Sequence, residues 1–274
     1  MTFGARLRHA MDTRGPLCVG VDPHPGLLRD WGLDDNPRGL ERFAIIAVEA
    51  LAPQLAMVKP QSAFFERHGS AGIAVLERLV QEARAAGSLV LLDVKRGDTG
   101  STTQAYADAY LDPASPVGCD AVTANPFLGF GTLDPLIDTA HRHQGGVFVL
   151  ALTSNPEGAE VQQARLPGGD TVAGSVLTQI AARNRGASPM GSVGAVVGAT
   201  IGHAAENLEV NGPLLVPGVG AQGGTVDDVR RIFAGVLGSV VPTTSRAVLA
   251  AGPDRGALAA HAKQVAEQFS ELVG

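Results

Sequence analysis

Residues 89–98 read Leu89-Val90-Leu91-Leu92-Asp93-Val94-Lys95-Arg96-Gly97-Asp98. Four apolar residues run straight into acid, base and acid. An unbroken apolar run of this length reads as a parallel strand buried on both faces, with its last residues emerging at a functional edge. Side chains alternate along a strand, so Asp93 and Lys95 are expected on one face, with Cα atoms roughly 6.5 Å apart. Val94 points the other way. Asp98 follows in the loop, where Gly97 lets the chain turn. By itself Asp-x-Lys-x-x-Asp is short enough to be an ordinary surface ion pair. Its place at the end of an apolar run argues for more.

Similar runs recur along the chain. Strands are expected over 17–22, 55–59, 88–95, 119–125, 146–154, 193–200, 213–218 and 239–243. Amphipathic stretches lie between them. The clearest is 70–86, where Ile73, Leu76, Leu79, Val80 and Ala83 follow the spacing of one helix face. Residues 39–51, 131–144, 170–185, 225–234 and 255–272 also read as helices, and 202–211 as a weaker one. Asp227 and Asp228 sit in the first turn of theirs, where negative charge favours the helix dipole. Eight strand–helix units in 274 residues imply an α/β fold, a closed (β/α)8 TIM barrel spanning residues 1–274 as a single domain. A doubly wound open sheet is the rival. It calls for a glycine-rich turn after the first strand, and Val21-Asp22-Pro23-His24-Pro25 is not one.

Composition narrows the function classes. Hydrophobic residues make up 45% of the chain, enough for a large core, and 35 Gly with 17 Pro indicate many tight connections. The net charge is −6, and no basic stripe with interleaved aromatics suggests a nucleic-acid partner. Met1 to Pro16 lacks the apolar region of a signal peptide, and no apolar run approaches membrane-spanning length. A cytoplasmic protein is expected. Cys18 and Cys119 lie in or beside apolar segments and read as small buried residues. The histidines show no zinc spacing, and His24 is given no role.

In such a barrel, function sits at the C-terminal ends of the strands. That rule selects Asp22, Lys59, Asp93, Lys95, Thr153, Ser154, the glycine-rich Pro217–Gly224 loop, Ser245 and Arg246. The loops after strands seven and eight commonly hold phosphate. Arg246 offers a charged fork for phosphate oxygens, and the glycine loop lets backbone N–H groups approach closely. The plain alternative is a surface loop with a solvated arginine. Lys59 and Lys95 are expected on adjacent strands, with Asp93 near both. Neighbouring carboxylates favour the ammonium form of Lys95, which disfavours a Schiff-base role needing a neutral amine. Two ammonium groups beside Asp93 also disfavour a divalent metal there.

These residues together resemble the orotidine 5'-phosphate decarboxylase family. The resemblance rests on Asp22, Lys59, Asp93-Val94-Lys95-Arg96-Gly97-Asp98 and Pro217–Gly224. It extends to Val58-Lys59-Pro60-Gln61-Ser62-Ala63-Phe64-Phe65-Glu66, Ala124-Asn125-Pro126-Phe127-Leu128-Gly129 and Thr153-Ser154-Asn155-Pro156-Glu157-Gly158, which are similar to its longer bacterial branch. The resemblance implies cofactor-free decarboxylation of orotidine 5'-monophosphate to UMP, the last step of de novo pyrimidine synthesis. It implies a charged tetrad of Lys59, Asp93, Lys95 and Asp98, with Lys95 protonating C6 and Asp93 crowding the substrate carboxylate. Asp22 and Lys59 would hold ribose hydroxyls, Ser154 the base, and Gln222 and Arg246 the phosphate. Asp98 and Thr102 would reach into the neighbouring subunit's site, making the enzyme a homodimer. Thr99 stands where the family usually has an apolar residue, and Ser245 where Gly often precedes the phosphate arginine. Two rivals remain: a magnesium-dependent sugar-phosphate enzyme of the same superfamily, and a non-catalytic nucleotide-binding barrel. The segment 155–170 after strand five suggests a lid.

Overall fold

The computed structural model describes residues 1–202, 204–220 and 223–273. Eight strands run in the order expected: β1 Cys18–Val21, β2 Met57–Pro60, β3 Leu89–Arg96, β4 Ala121–Ala124, β5 Gly146–Leu152, β6 Val193–Val197, β7 Leu214–Pro217 and β8 Val240–Thr244. Each pairs in parallel with the next, and β8 pairs with β1, closing the barrel. The open doubly wound sheet is excluded. All the strands are buried along nearly their whole length, which is why they read as apolar runs rather than alternating ones.

Helices cover the outside. Pro37–Leu51, Gly69–Ala85, Asp134–Arg142, Val172–Arg183, Val226–Ile232 and Arg255–Val273 fall where periodicity placed them. The capping agrees with the sequence. Asn36 accepts from the N–H groups of Arg38 and Gly39 ahead of Pro37. Thr225 and Asp228 form a reciprocal capping box, which holds the Asp228 carboxyl down at about 2.

Beyond a few short helices of four to six residues, two longer ones are not marked by the sequence pattern. Gly100–Leu111 follows β3, and Phe3–Arg14 precedes β1. The second carries a narrow stripe, Phe3, Leu7 and Met11, spaced four residues apart among polar neighbours. That stripe closes the N-terminal end of the barrel, packing with Cys18, Met57, Leu89, Leu91, Phe148 and Leu215 from inside it. Phe3 meets the Phe148 ring edge-on at 6.0 Å, and a Cβ on Gly146 would collide with the Phe3 ring. Burying each of these three side chains contributes about 1.5–3 kcal/mol.

The weaker helix over 202–211 does not form in its described part. The Asn207 side chain accepts the Glu209 N–H, and the Val210 carbonyl accepts from the Asn184 amide. Leu208 and Val210 are buried as alternate residues of an extended segment. Backbone groups that a helix would pair internally are taken by side chains instead.

Candidate active site

The C-terminal strand ends surround a cavity of about 410 Å³. Asp22, Lys59, Asp93, Lys95, Ser154 and Arg246 all line it, so the structure gathers six of the expected residues at one mouth.

Asp93 is its centre and is only 6% exposed. Oδ2 accepts from Lys59 Nζ at 2.9 Å and Gln61 Nε2 at 3.1 Å. Oδ1 accepts from Lys95 Nζ at 2.6 Å and the Thr123 hydroxyl at 2.8 Å. Two cations and two neutral donors thus occupy both faces of the carboxylate. Burial acts to raise its pKa. The two ammonium groups outweigh burial and hold the carboxyl well below the usual carboxylate range. Lys59 is also buried, which acts to lower its pKa, but Asp93 and Asp22 outweigh this and raise it. Lys59, Asp93 and Lys95 therefore form an alternating chain of charges in fixed positions.

Asp93 and Lys95 meet as expected, but not by regular alternation. Leu92 pairs with Val122 and Arg96 with Ala124, so three residues of β3 oppose Thr123 alone on β4. This bulge re-aims the strand end. Lys95 takes a left-handed φ of 45°, a conformation that costs a non-glycine residue on the order of 1 kcal/mol or more. Its N–H is donated to Thr123 Oγ1 at 2.9 Å. Gln61 and Thr123 were missed as site residues. Gln61 was visible within the Lys59 stretch, but nothing in the local pattern marked Thr123, whose partners lie 28 and 30 residues away.

Several polar atoms at the mouth lack partners. Asp22 Oδ1, Thr244 Oγ1 and Ser245 Oγ are buried without a hydrogen bond. Each such atom costs about 1–3 kcal/mol, and a ligand's hydroxyl or amide groups would satisfy them. Arg246 is exposed at the mouth and has no ion-pair partner among the described residues. The glycine loop turns through left-handed Gly218 and Gly220, with the Gly224 N–H donated to the Gly218 carbonyl. Gln222 lies outside the described residues.

Asp98 and Thr102 do not line the cavity of their own chain. The Asp98 carboxylate accepts the Thr99 N–H at 2.8 Å, and Thr102 is exposed on the first turn of Gly100–Leu111. The loops after β3 and β4 pack closely here, since a Cβ on Gly97 would lie 2.2 Å from the Asn125 carbonyl. The second loop exposes Phe127 and Leu128 at 72% and 51%. In the 155–170 segment a short helix forms over Gly158–Gln162, and Gln162 is tied back to the Thr153 backbone and hydroxyl.

The class of protein follows: a (β/α)8 barrel whose charged residues converge at the C-terminal mouth, the usual place for catalysis in that fold. Residues 15–261 match the family model described as orotidine 5'-phosphate decarboxylase / HUMPS family. The chain is 64% identical over 250 residues to an orotidine 5'-phosphate decarboxylase of Nocardioides sp., covering 90% of this chain and 91% of that one. A Streptomyces avermitilis structure assigned as an orotidine 5'-phosphate decarboxylase superposes with a TM-score of 0.97 at 54% identity, covering 99% and 96% of the two chains. The Leishmania donovani OMP decarboxylase superposes with a TM-score of 0.76 at 26% identity, covering 100% and 99%. The chain belongs to the orotidine 5'-phosphate decarboxylase / HUMPS family.

Proposed function

We propose that this chain decarboxylates orotidine 5'-monophosphate to UMP and carbon dioxide, as a cytoplasmic enzyme of pyrimidine nucleotide synthesis. The alternating Lys59–Asp93–Lys95 chain beside a nucleotide-sized cavity is the observation that carries this reading. The bond from C6 to the substrate carboxylate breaks and its electron pair stays on C6. Lys95 Nζ gives a proton to that carbon and is recharged from solvent. An ammonium at C6 stabilises the developing carbanion more than it stabilises the ground state, which is what lowers a barrier. Asp93 faces the substrate carboxylate, and its pinned charge disfavours that group more than it disfavours carbon dioxide. Asp22 and Lys59 take the ribose hydroxyls, Ser154 the base, and Gln222 with Arg246 the phosphate. Binding energy at the distant phosphate offsets the strain at the carboxylate.

No metal enters this scheme. The acceptor positions of Asp93 are filled by Lys59, Gln61, Lys95 and Thr123, which leaves the carboxylate no place for an ion. The test is ultraviolet-monitored turnover of orotidine 5'-monophosphate with EDTA present. Conversion to UMP is expected. Activity that appears only when magnesium is added, and on a sugar phosphate, would overturn the assignment.

The site is completed across a homodimer in this reading. Support comes from Asp98 and Thr102 lying outside their own cavity, next to a seam exposing Phe127 and Leu128. Mixing Lys95→Ala with Asp98→Ala protein should restore about a quarter of the wild-type activity per site, because half of hybrid sites regain both groups. No recovery under conditions of proven subunit exchange would remove Asp98 from the partner's site.

A further inference from the structure

The bulge at the end of β3 places the proton donor on a backbone conformation that β3 does not hold by itself. Lys95 has a φ of 45°, and its N–H is donated sideways to the Thr123 hydroxyl on β4. The same hydroxyl donates to Asp93 Oδ1, the oxygen that also receives Lys95 Nζ. One buried group, 2% exposed, therefore fixes the backbone of the lysine and the carboxylate that orients its ammonium. A hydroxyl can do both because it has one proton to give and lone pairs to receive.

We propose that Thr123 is a positioning residue of this enzyme: it locks Lys95 in its left-handed conformation and holds Asp93 against rotation as the substrate carboxylate arrives. The proposal rests on the decarboxylase reading for its kinetic consequence and on geometry for the rest. Two opposing demands meet at this position. An incoming carboxylate repels Asp93, and a carboxylate free to turn about its last side-chain bond would relieve that repulsion by swinging away. Thr123 on Oδ1 and Gln61 on Oδ2 are neutral donors that oppose such a turn without adding charge. Of the two, Thr123 alone also reaches the Lys95 backbone. The carbon to be protonated requires Nζ within a few tenths of an ångström of its place, and misplacement by about 1 Å costs on the order of a hundredfold in rate.

Thr123→Val removes the hydroxyl and keeps the branched shape, while Thr123→Ser keeps the hydroxyl. In Thr123→Val, kcat should fall by about thirtyfold or more, with KM and the affinity for UMP within about threefold, because UMP has no carboxylate to press on Asp93. Thr123→Ser should recover most of kcat. Amide hydrogen exchange at Lys95, followed by NMR without substrate, should be strongly slowed in the unaltered protein and at least about tenfold faster in Thr123→Val. Four results would each overturn the proposal: undiminished kcat in the valine variant, a serine variant as impaired as the valine one, UMP affinity falling in step with kcat, or a Lys95 amide in the unaltered protein that exchanges as fast as an exposed loop. The protection of the Lys95 amide in the unaltered protein is read without activity and without a folded variant. A protected Lys95 amide in a protein that fails to turn over orotidine 5'-monophosphate would sink the decarboxylase reading while leaving the positioning role of Thr123 standing.

Discussion

Two buried aspartates sit at opposite ends of the barrel, each between two cations. At the N-terminal end Asp120 is 3% exposed and pairs with Arg6 at 2.7 Å and Arg84 at 3.4 Å. Its second oxygen also accepts the Val90 N–H at the start of β3. At the mouth Asp93 is 6% exposed and pairs with Lys59 and Lys95. Charge pattern alone would rank them equal. The difference lies in what stands around them. The cations of Asp120 reach in from the helices Phe3–Arg14 and Gly69–Ala85 and so tie helices to sheet over an apolar plug. The cations of Asp93 come from β2 and β3, and all three groups line an open cavity beside partnerless oxygens. A buried ion cluster becomes chemistry only where a ligand can join it; elsewhere it is a clamp.

The largest expected effect tests that contrast directly. Lys95→Ala should reduce kcat by at least about a thousandfold, near 4 kcal/mol of transition-state stabilisation. The melting temperature should stay close to that of the unaltered protein, because Lys59 still neutralises Asp93. Comparable turnover by the variant would reduce the mouth cluster to a second clamp.

Removing each aspartate sharpens the comparison. Asp93→Ala strands the buried Lys59 ammonium and should cost about 3 kcal/mol in denaturant unfolding together with essentially all activity. Asp120→Ala should cost about 2 kcal/mol, with kcat/KM per folded molecule unchanged within about twofold. Activity lost in proportion to stability in both variants would erase the distinction.

The smallest effect is on acid stability. The Asp93 pKa is lowered on folding, so the unfolded chain takes up its proton first as pH falls. Stability from this group is complete above about pH 4, near the unfolded value. It declines as pH falls from there toward the lower folded value. The Lys59 pKa is raised, so its contribution is lost only at alkaline pH and adds nothing to this slope. Unfolding measured between about pH 5 and 3 should therefore fall more steeply for the unaltered protein than for Asp93→Asn. Equal slopes would mean that Asp93 is not held ionised by its neighbours.

Much of this molecule is legible in its amino-acid sequence. Strands buried on both faces leave unbroken apolar runs, so all eight strands and their order could be read, and a rule of the fold then picked out the mouth residues. Short-range signals were weaker where a segment's partner lay far away in sequence. The helix Phe3–Arg14 presents only a narrow stripe because it plugs the barrel end and leaves the rest of its surface to polar residues. Residues 204–211 forgo a helix because Asn184 and the segment's own side chains take their backbone groups.

The amino-acid sequence by itself determined the barrel, the end of it that carries charge, and the residues Asp22, Lys59, Asp93, Lys95, Ser154 and Arg246 gathered there. Only the tertiary structure decided how Asp93 and Lys95 meet. It also decided that Gln61 and Thr123 complete the carboxylate's shell, and that Asp98 and Thr102 do not line their own chain's cavity. The physical reason is one of range. Periodicity records whether a segment is buried, a property each segment carries in its own side chains. A bulge, a left-handed lysine and a shared hydroxyl arise between strands, where the register of β3 on β4 sets the geometry.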